Sequence, residues 1–241
     1  MKLNMPGTIG SAKIVFKDSL IKKTKIGIVG VGYVGGAIHS SLIENGFDID
    51  LCLVDKDPAK GPNTFRELFE CDGIFVCVPS PQGDDGKCDT SILEEVLENL
   101  KGYDGVIISK CTAPPDVYTK LNEQYHNLVH SPEFLTAANA VRDYINGKFA
   151  IIGGKVGAYR REAERIIRLS QRELGDNVRH CSIGEASLAK YTINSFLATK
   201  VTFMNEIQEM AIASGLNYDK IAEMVTLDSR IGKSHMQVPG P

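Results

Sequence analysis

The chain has 241 residues, of which 43% are hydrophobic and 24% charged, with a formal net charge of −3 and a pI near 6.0. That length and composition suit one large α/β domain, or one domain plus a helical piece, and they need no disulfide or metal staple. No Lys/Arg run forms a nucleic-acid footprint, no apolar stretch approaches the roughly 18 residues of a membrane span, and the N-terminus lacks the apolar core of a signal peptide.

The six cysteines, Cys52, Cys71, Cys77, Cys88, Cys111 and Cys181, form no CxxC pair and no zinc or disulfide spacing. Several lie in apolar, strand-like runs. They read as buried free thiols in a reducing cytoplasm, with no metal site.

Residues 1–24 read as an N-terminal extension, with residues 12–21 open to a short strand or hairpin or to a poorly ordered segment. The pattern becomes regular at Lys25. An apolar strand at 26–29 leads into a glycine-rich turn at 30–36, then a helix at 37–45 that Gly46 stops. A second strand at 50–54 ends in Asp55. Further strands follow at 73–78, 105–109, 127–130 and 148–152, with helices at 91–100, 115–124 and 158–174 between and after them. The strands are continuous apolar runs that alternate with helices, which predicts a parallel sheet covered on both faces over residues 25–184. A long helix is predicted over 185–214, about 45 Å at 1.5 Å per residue. Between Ala186 and Asn205 only Lys190 and Lys200 are charged, so this helix is expected to be mostly buried. A short helix at 218–227 follows, and residues 185–241 read as a separate helical region.

Gly30-Val31-Gly32-Tyr33-Val34-Gly35 is a GxGxxG run that follows a strand and opens a helix, and Asp55 lies 20 positions past Gly35. That context is what the dinucleotide-binding fingerprint requires. Gly30 permits the tight turn, Gly32 lets backbone approach a pyrophosphate, and Gly35 lets helix and strand pack closely. The helix N-terminus offers free N–H groups and a positive dipole end to phosphates. A carboxylate at Asp55 accepts from a ribose 2′-OH and repels a 2′-phosphate, which predicts NAD over NADP.

Ligands of an open parallel sheet bind beyond the carboxyl ends of its strands. Those ends carry Pro79-Ser80-Pro81, Lys110-Cys111-Thr112-Ala113-Pro114 and Ser131-Pro132-Glu133-Phe134-Leu135. Thr112 suits either a nicotinamide rim or a helix N-cap, and Glu133 either the same rim or a cap or surface ion pair. Lys190 and Asn194 are one helical turn apart among apolar neighbours. A lysine in that company needs a partner or a lowered pKa, and either suits proton handling at an alcohol, while a snorkelling lysine is the simpler alternative.

Together these segments resemble the family of UDP-glucose, UDP-N-acetylhexosamine and GDP-mannose 6-dehydrogenases. The matching motifs are Gly32-Tyr33-Val34-Gly35, Val78-Pro79-Ser80-Pro81, Ser131-Pro132-Glu133-Phe134-Leu135, Lys190-x3-Asn194-x-Phe196-Leu197-Ala198, Phe203-x-Asn205-Glu206-Ile207 and Ser234-His235-x2-Val238-Pro239-Gly240-Pro241. The resemblance implies a Rossmann-type doubly wound domain, a long central helix that mediates homodimers, and oxidation of a sugar C6 alcohol to a carboxylate with two NAD per sugar. It implies that Gly30, Gly32, Tyr33, Val34, Gly35, Asp55, Lys60, Ser80 and Thr112 face NAD. Glu133, Phe134, Leu135, Lys190, Asn194 and Arg230 would face the nucleotide sugar. Lys190 would be the proton acceptor or oxyanion stabiliser, Asn194 its hydrogen-bond partner, Thr112 the group that positions a water, and Glu133 the acid/base of the hydrolytic half.

The sequence departs from the family pattern in two places. Ala137 stands where the family often has a second glutamate. The family's catalytic cysteine lies in a Gly-Gly-x-Cys-Phe-Pro-Lys-Asp segment shortly after Val-Pro-Gly-Pro, and the sequence stops at Pro241 before it. The chain is therefore expected to be a fragment of a longer enzyme and inactive alone, with UDP-glucose as the default substrate. Two alternatives stay open: a two-electron dehydrogenase of the 6-phosphogluconate and 3-hydroxyacid group, which needs no cysteine, and a non-catalytic NAD-binding chain.

Overall fold

The computed structural model describes residues 23–136, 139–171 and 173–237. The readings for residues 1–22, for Ala137 and for Val238-Pro239-Gly240-Pro241 fall outside these. Seven strands form one sheet in the order β2-β1-β3-β4-β5-β6-β7. The strands are β1 (Thr24–Val29), β2 (Ile49–Val54), β3 (Gly73–Val76), β4 (Val106–Ser109), β5 (Leu128–His130), β6 (Ala150–Gly153) and β7 (Val178–Cys181). Thr24 thus belongs to β1. All neighbours pair parallel except β5 and β6, which meet antiparallel at His130 and Gly153. The sheet is therefore mostly, not wholly, parallel.

The helices are α1 (Tyr33–Glu44), α2 (Phe65–Leu68), α3 (Ser91–Asn99), α4 (Pro115–Gln124), α5 (Ala140–Ile145), α6 (Ala158–Ser170), α7 (Ile183–Ala213) and α8 (Tyr218–Val225). Separate apolar clusters pack on the two faces of the sheet. One is built on Leu68, Leu93, Leu97 and Tyr118, the other on Ile38, Leu42, Tyr144 and Ile166. The β-branched runs Ile74–Val76 and 106–108 feed both, which is why these strands read as continuous rather than alternating.

Three elements escaped the sequence reading. Helices α2 and α5 span only Phe65–Leu68 and Ala140–Ile145, too short to show a period. Strand β7, Val-Arg-His-Cys, is a half-exposed edge strand whose polar residues hide it.

Helix α7 begins with a capping box: Ser182 Oγ accepts from Glu185 N–H at 3.3 Å, and Glu185 Oε2 accepts from Ser182 N–H at 2.7 Å. Its burial corrects the expectation of a mostly buried helix. Ile183, Ala186, Ser187 and Lys190 are buried where the helix crosses the sheet domain, but Leu188, Phe196, Phe203 and Met210 are exposed. The domain covers one stripe of α7, and scarcity of charge reports an apolar surface without saying that the same chain covers it. A smaller cluster, Met204, Ala211, Tyr218 and Met236, joins α7 to α8 and the segment after it.

Candidate active site

The order β2-β1-β3 reverses direction at β1, so a crevice opens beyond the carboxyl ends of β1 and β3. The glycine turn sits there. Gly30 has φ +87, a left-handed conformation, and a Cβ on it would lie 2.7 Å from the Cys77 carbonyl oxygen. A Cβ at Gly35 would lie 1.9 Å from the Gly30 carbonyl oxygen, so this residue sets how closely α1 approaches the turn. Gly32 differs: nothing lies within 4 Å of its Cβ position, and it caps α1 with no side-chain hydrogen bond. Open space above an uncapped helix N-terminus is what a diphosphate needs.

Asp55 closes β2 beside this turn. Its Oδ2 accepts from Val31 N–H at 2.6 Å and its Oδ1 from Asp57 N–H at 2.9 Å. Partial burial pushes the carboxyl up, but the Asp57 and Val31 N–H groups and the charges of Lys60 and Lys56 outweigh it and hold the carboxyl below the usual range. Lys60 lines a cleft of about 830 Å³ with Val31, Gly32, Tyr33, Ser40 and Arg142. Tyr33 points outward at 76% exposure, while Val34 packs on the core.

Ser80 and Thr112 share a second cleft, of about 640 Å³, with Cys88 and Tyr191. Ser80 Oγ is buried without a hydrogen-bond partner among the described residues, which leaves it free for a ligand. The Thr112 carbonyl accepts from Cys88 Sγ at 3.4 Å. Thr112 does not cap α4; Pro114 holds that position, with Pro115 as the first helical residue.

The third cleft, of about 800 Å³, brings together Glu133, Phe134, Leu135, Lys190 and Asn194. Lys190 Nζ donates to Glu133 Oε1 at 2.7 Å and to the Glu133 carbonyl, and it lies 5.2 Å from the Phe134 ring centroid. The pair is inside: its side chains are 6% and 16% exposed. Glu133 Oε2 accepts from Leu135 N–H at 2.7 Å, so the carboxylate is fixed at both oxygens. The partner that Lys190 required is therefore Glu133, which is neither a cap nor a surface pair. Arg230 is not in this cleft; it is exposed, with its guanidinium on Asp228 at 2.6 Å.

Lys233 went unnoticed in the sequence, and the Ser234-His235 motif was given no role; the three line the Lys190 cleft, and His235 holds a left-handed φ of +60. Lys110, directly after β4, is buried behind Glu133; a lysine ending a β-branched run was its only sequence signal. His130, also buried, stacks on Tyr118 with centroids 4.1 Å apart, and burial pushes its imidazole down to about 3, so it stays neutral. Among the described residues no cluster of His, Cys, Asp or Glu suits a metal ion, and no helix is long and apolar enough to cross a membrane. The six cysteines are free thiols.

A glycine turn opening a helix at the switch point of the sheet, with a carboxylate closing the next strand, defines a dinucleotide-binding α/β protein. The NAD binding domain of the UDP-glucose/GDP-mannose dehydrogenase family matches residues 62–170, and the family's central domain matches residues 184–241. The chain belongs to that family, and its cofactor is NAD. It is 31% identical over 188 residues to a UDP-glucose 6-dehydrogenase of Rickettsia bellii, covering 73% of this chain and 42% of that protein. It is 26% identical to UDP-glucose 6-dehydrogenase TuaD of Bacillus subtilis, covering 88% of this chain and 54% of that one. The chain thus spans about half the length of these curated relatives. Among solved structures, a UDP-glucose dehydrogenase from Pyrobaculum islandicum superposes with a TM-score of 0.75 at 21% identity, covering 89% of this chain and 59% of that one. A GDP-mannose dehydrogenase from Pseudomonas aeruginosa gives 0.70 at 21% identity, covering 88% and 59%. These likenesses establish the fold.

Proposed function

We propose that this chain carries the cofactor-binding and alcohol-handling parts of an NAD-dependent nucleotide-sugar 6-dehydrogenase, with UDP-glucose as substrate. The observation that carries this reading is the buried Lys190–Glu133 pair, with Asn194 beside it, in a cleft at the carboxyl edge of the sheet. The UDP-glucose 6-dehydrogenases among its relatives support the choice of sugar nucleotide.

Gly30, Gly32 and Gly35 would seat the diphosphate of NAD at the N-terminus of α1, with Asp55 and Lys60 on its ribose side and Ser80 and Thr112 toward its reactive ring. NAD supplies the hydride acceptor. Lys190, an ammonium in its pair with Glu133, donates to the sugar C6 oxygen and stabilises charge there as the oxygen loses its proton. Asn194 orients the same oxygen. Glu133 is the group beside Lys190 able to take or return a proton. Residues 25–184 would act as the cofactor domain and residues 185–241 as a central helical region.

No cysteine lines the Lys190 cleft. We therefore propose that oxidation beyond the aldehyde depends on a thiol that these 241 residues do not supply. The exposed Phe196, Phe203 and Met210 recur every seven residues, one face of α7, and we propose that a second copy of the chain covers them. Free thiols suit a reducing cytoplasm.

The test combines NAD titration of the 241-residue chain with product analysis. The reading expects saturable NAD binding, no uronate from this chain, and two NADH per UDP-glucose from the full-length protein. One NADH per substrate would favour the two-electron alternative, and uronate from the 241-residue chain would overturn the thiol argument. UDP-N-acetylhexosamines and GDP-mannose, run in parallel, test the sugar.

A further inference from the structure

Lys110 is a buried cation for which the reaction outlined above has no use. Its backbone N–H donates to the Val76 carbonyl at 2.8 Å, which extends the sheet ladder one residue past β4 and turns the side chain inward. Only 5% of the residue is exposed. Its Nζ lies about 6 Å from the Phe75 and Tyr144 ring centroids and donates to Ser131 Oγ at 3.1 Å. An ammonium has three donors, and no carboxylate lies within ion-pair distance of this one among the described residues. Burying a cation on those terms is unfavourable unless a nearby anion offsets it.

The surroundings show which anion that is. A cavity of about 80 Å³ joins Lys110 to Ser131, Glu133, Asp143, Tyr144 and Gln171, space for about two waters at liquid density. Glu133, Asp143 and Tyr144 line it with Lys110; Cys77 and Lys190 act on Lys110 from outside it, and Lys110 acts on His130. Cys77, beyond β3, is pushed by burial well above its ordinary range and stays a thiol. His130, of β5, is neutral, and the Tyr144 phenol of α5 is raised by burial and engaged with Ser170. Asp143 accepts from Thr136 N–H and Oγ1. Of the two carboxylates lining the cavity, Glu133 is the one whose charge acts on the Lys110 ammonium, with Lys190 of α7 as the competing cation.

We propose that Lys110 is a positioning residue: anchored by Ser131 behind the 131–135 loop, its ammonium faces Glu133 across the small cavity and, together with the Lys190 ion pair, keeps the Glu133 carboxylate aimed into the cleft. This rests on the roles given above to Lys190 and Glu133. Burial pushes the Lys110 ammonium down to about 8, with the Glu133 charge opposing and the Lys190 charge assisting. Its charge, and with it the hold on Glu133, is therefore present below about pH 8 and is lost as pH rises through that value.

The Leu135 amide, which donates to Glu133 Oε2, reports on that carboxylate without any turnover. Its NMR shift, followed from about pH 7 to pH 9, is expected to titrate near 8 in the wild type. The titration is expected to move to lower pH in Ser131→Ala, which removes the acceptor, and to vanish in Lys110→Met. In the full-length enzyme Lys110→Met is expected to lower kcat about tenfold and flatten the basic limb of the pH profile, with NAD affinity within about threefold of wild type. A Leu135 shift that is flat in the wild type, or that titrates alike in wild type and Ser131→Ala, overturns the proposal, as does an unchanged profile in a folded Lys110→Met. If Lys110→Met fails to fold, Ser131→Ala decides. A wild-type enzyme that oxidises no nucleotide sugar sinks the functional reading, while the Leu135 titration still tests Lys110.

Discussion

The sharpest contrast lies between two glycines three residues apart. In Gly32→Ala the new methyl meets no protein atom within 4 Å, and Gly32, at φ −86 and ψ −146, lies outside the left-handed region that excludes side chains. The fold should lose only the difference between glycine and alanine at a helix N-cap, under about 1 kcal/mol. The methyl does, however, fill the space over the α1 N-terminus where the diphosphate must approach backbone N–H groups. Losing two such charge-assisted hydrogen bonds, at about 1.5 kcal/mol each, weakens NAD binding about a hundredfold. In Gly35→Ala the methyl would sit 1.9 Å from the Gly30 carbonyl oxygen, so α1 must move and the melting temperature itself must fall. Calorimetric NAD titration beside thermal melts separates the two. A Gly32→Ala protein that melts normally and binds NAD like the wild type would refute the placement of the diphosphate.

Three further outcomes are expected. Lys190→Met removes the ion-pair partner of the largely buried Glu133 carboxylate; it should destabilise the protein by about 3 kcal/mol in urea titrations and abolish sugar oxidation by the full-length enzyme, while NAD affinity stays near wild type. Below pH 6.5 an unfolded chain takes up a proton that folded His130 refuses until about pH 3, so stability should fall as pH drops through that window, by about 2–3 kcal/mol at pH ~4.5. His130→Gln should remove most of that dependence in urea titrations at the two ends of the window. Phe203→Glu places a charge on the exposed face of α7, and sedimentation is expected to show a dimer for the wild type and a monomer for the variant, with the melting temperature of the sheet domain nearly unchanged.

The fold was legible where local chemistry and tertiary packing agreed. The glycine turn and the β-branched strands each specify their conformation within a few residues, whereas the Ser182–Glu185 box that starts α7 emerged only from the structure. Four-residue elements carry no period, so α2 and β7 were lost, and the antiparallel β5–β6 pairing has no local signature. At the site, Lys190 and Asn194 stood out because a lysine among apolar helix neighbours needs an explanation. That Glu133, 57 residues earlier, supplies it is a long-range fact that spacing cannot encode. Lys110 was hidden for the same reason: in sequence it is one cation at a strand end, and only the packing of Phe75, Ser131 and Tyr144 around it makes it unusual.

The most direct test is a crystal structure of this chain with NAD. The account expects the two phosphates against the backbone N–H groups of residues 32–35, the adenosine ribose on the carboxylate of Asp55, and the nicotinamide between Thr112 and the cleft that holds Lys190. Phosphates bound elsewhere, or a nicotinamide turned away from Lys190, would contradict it.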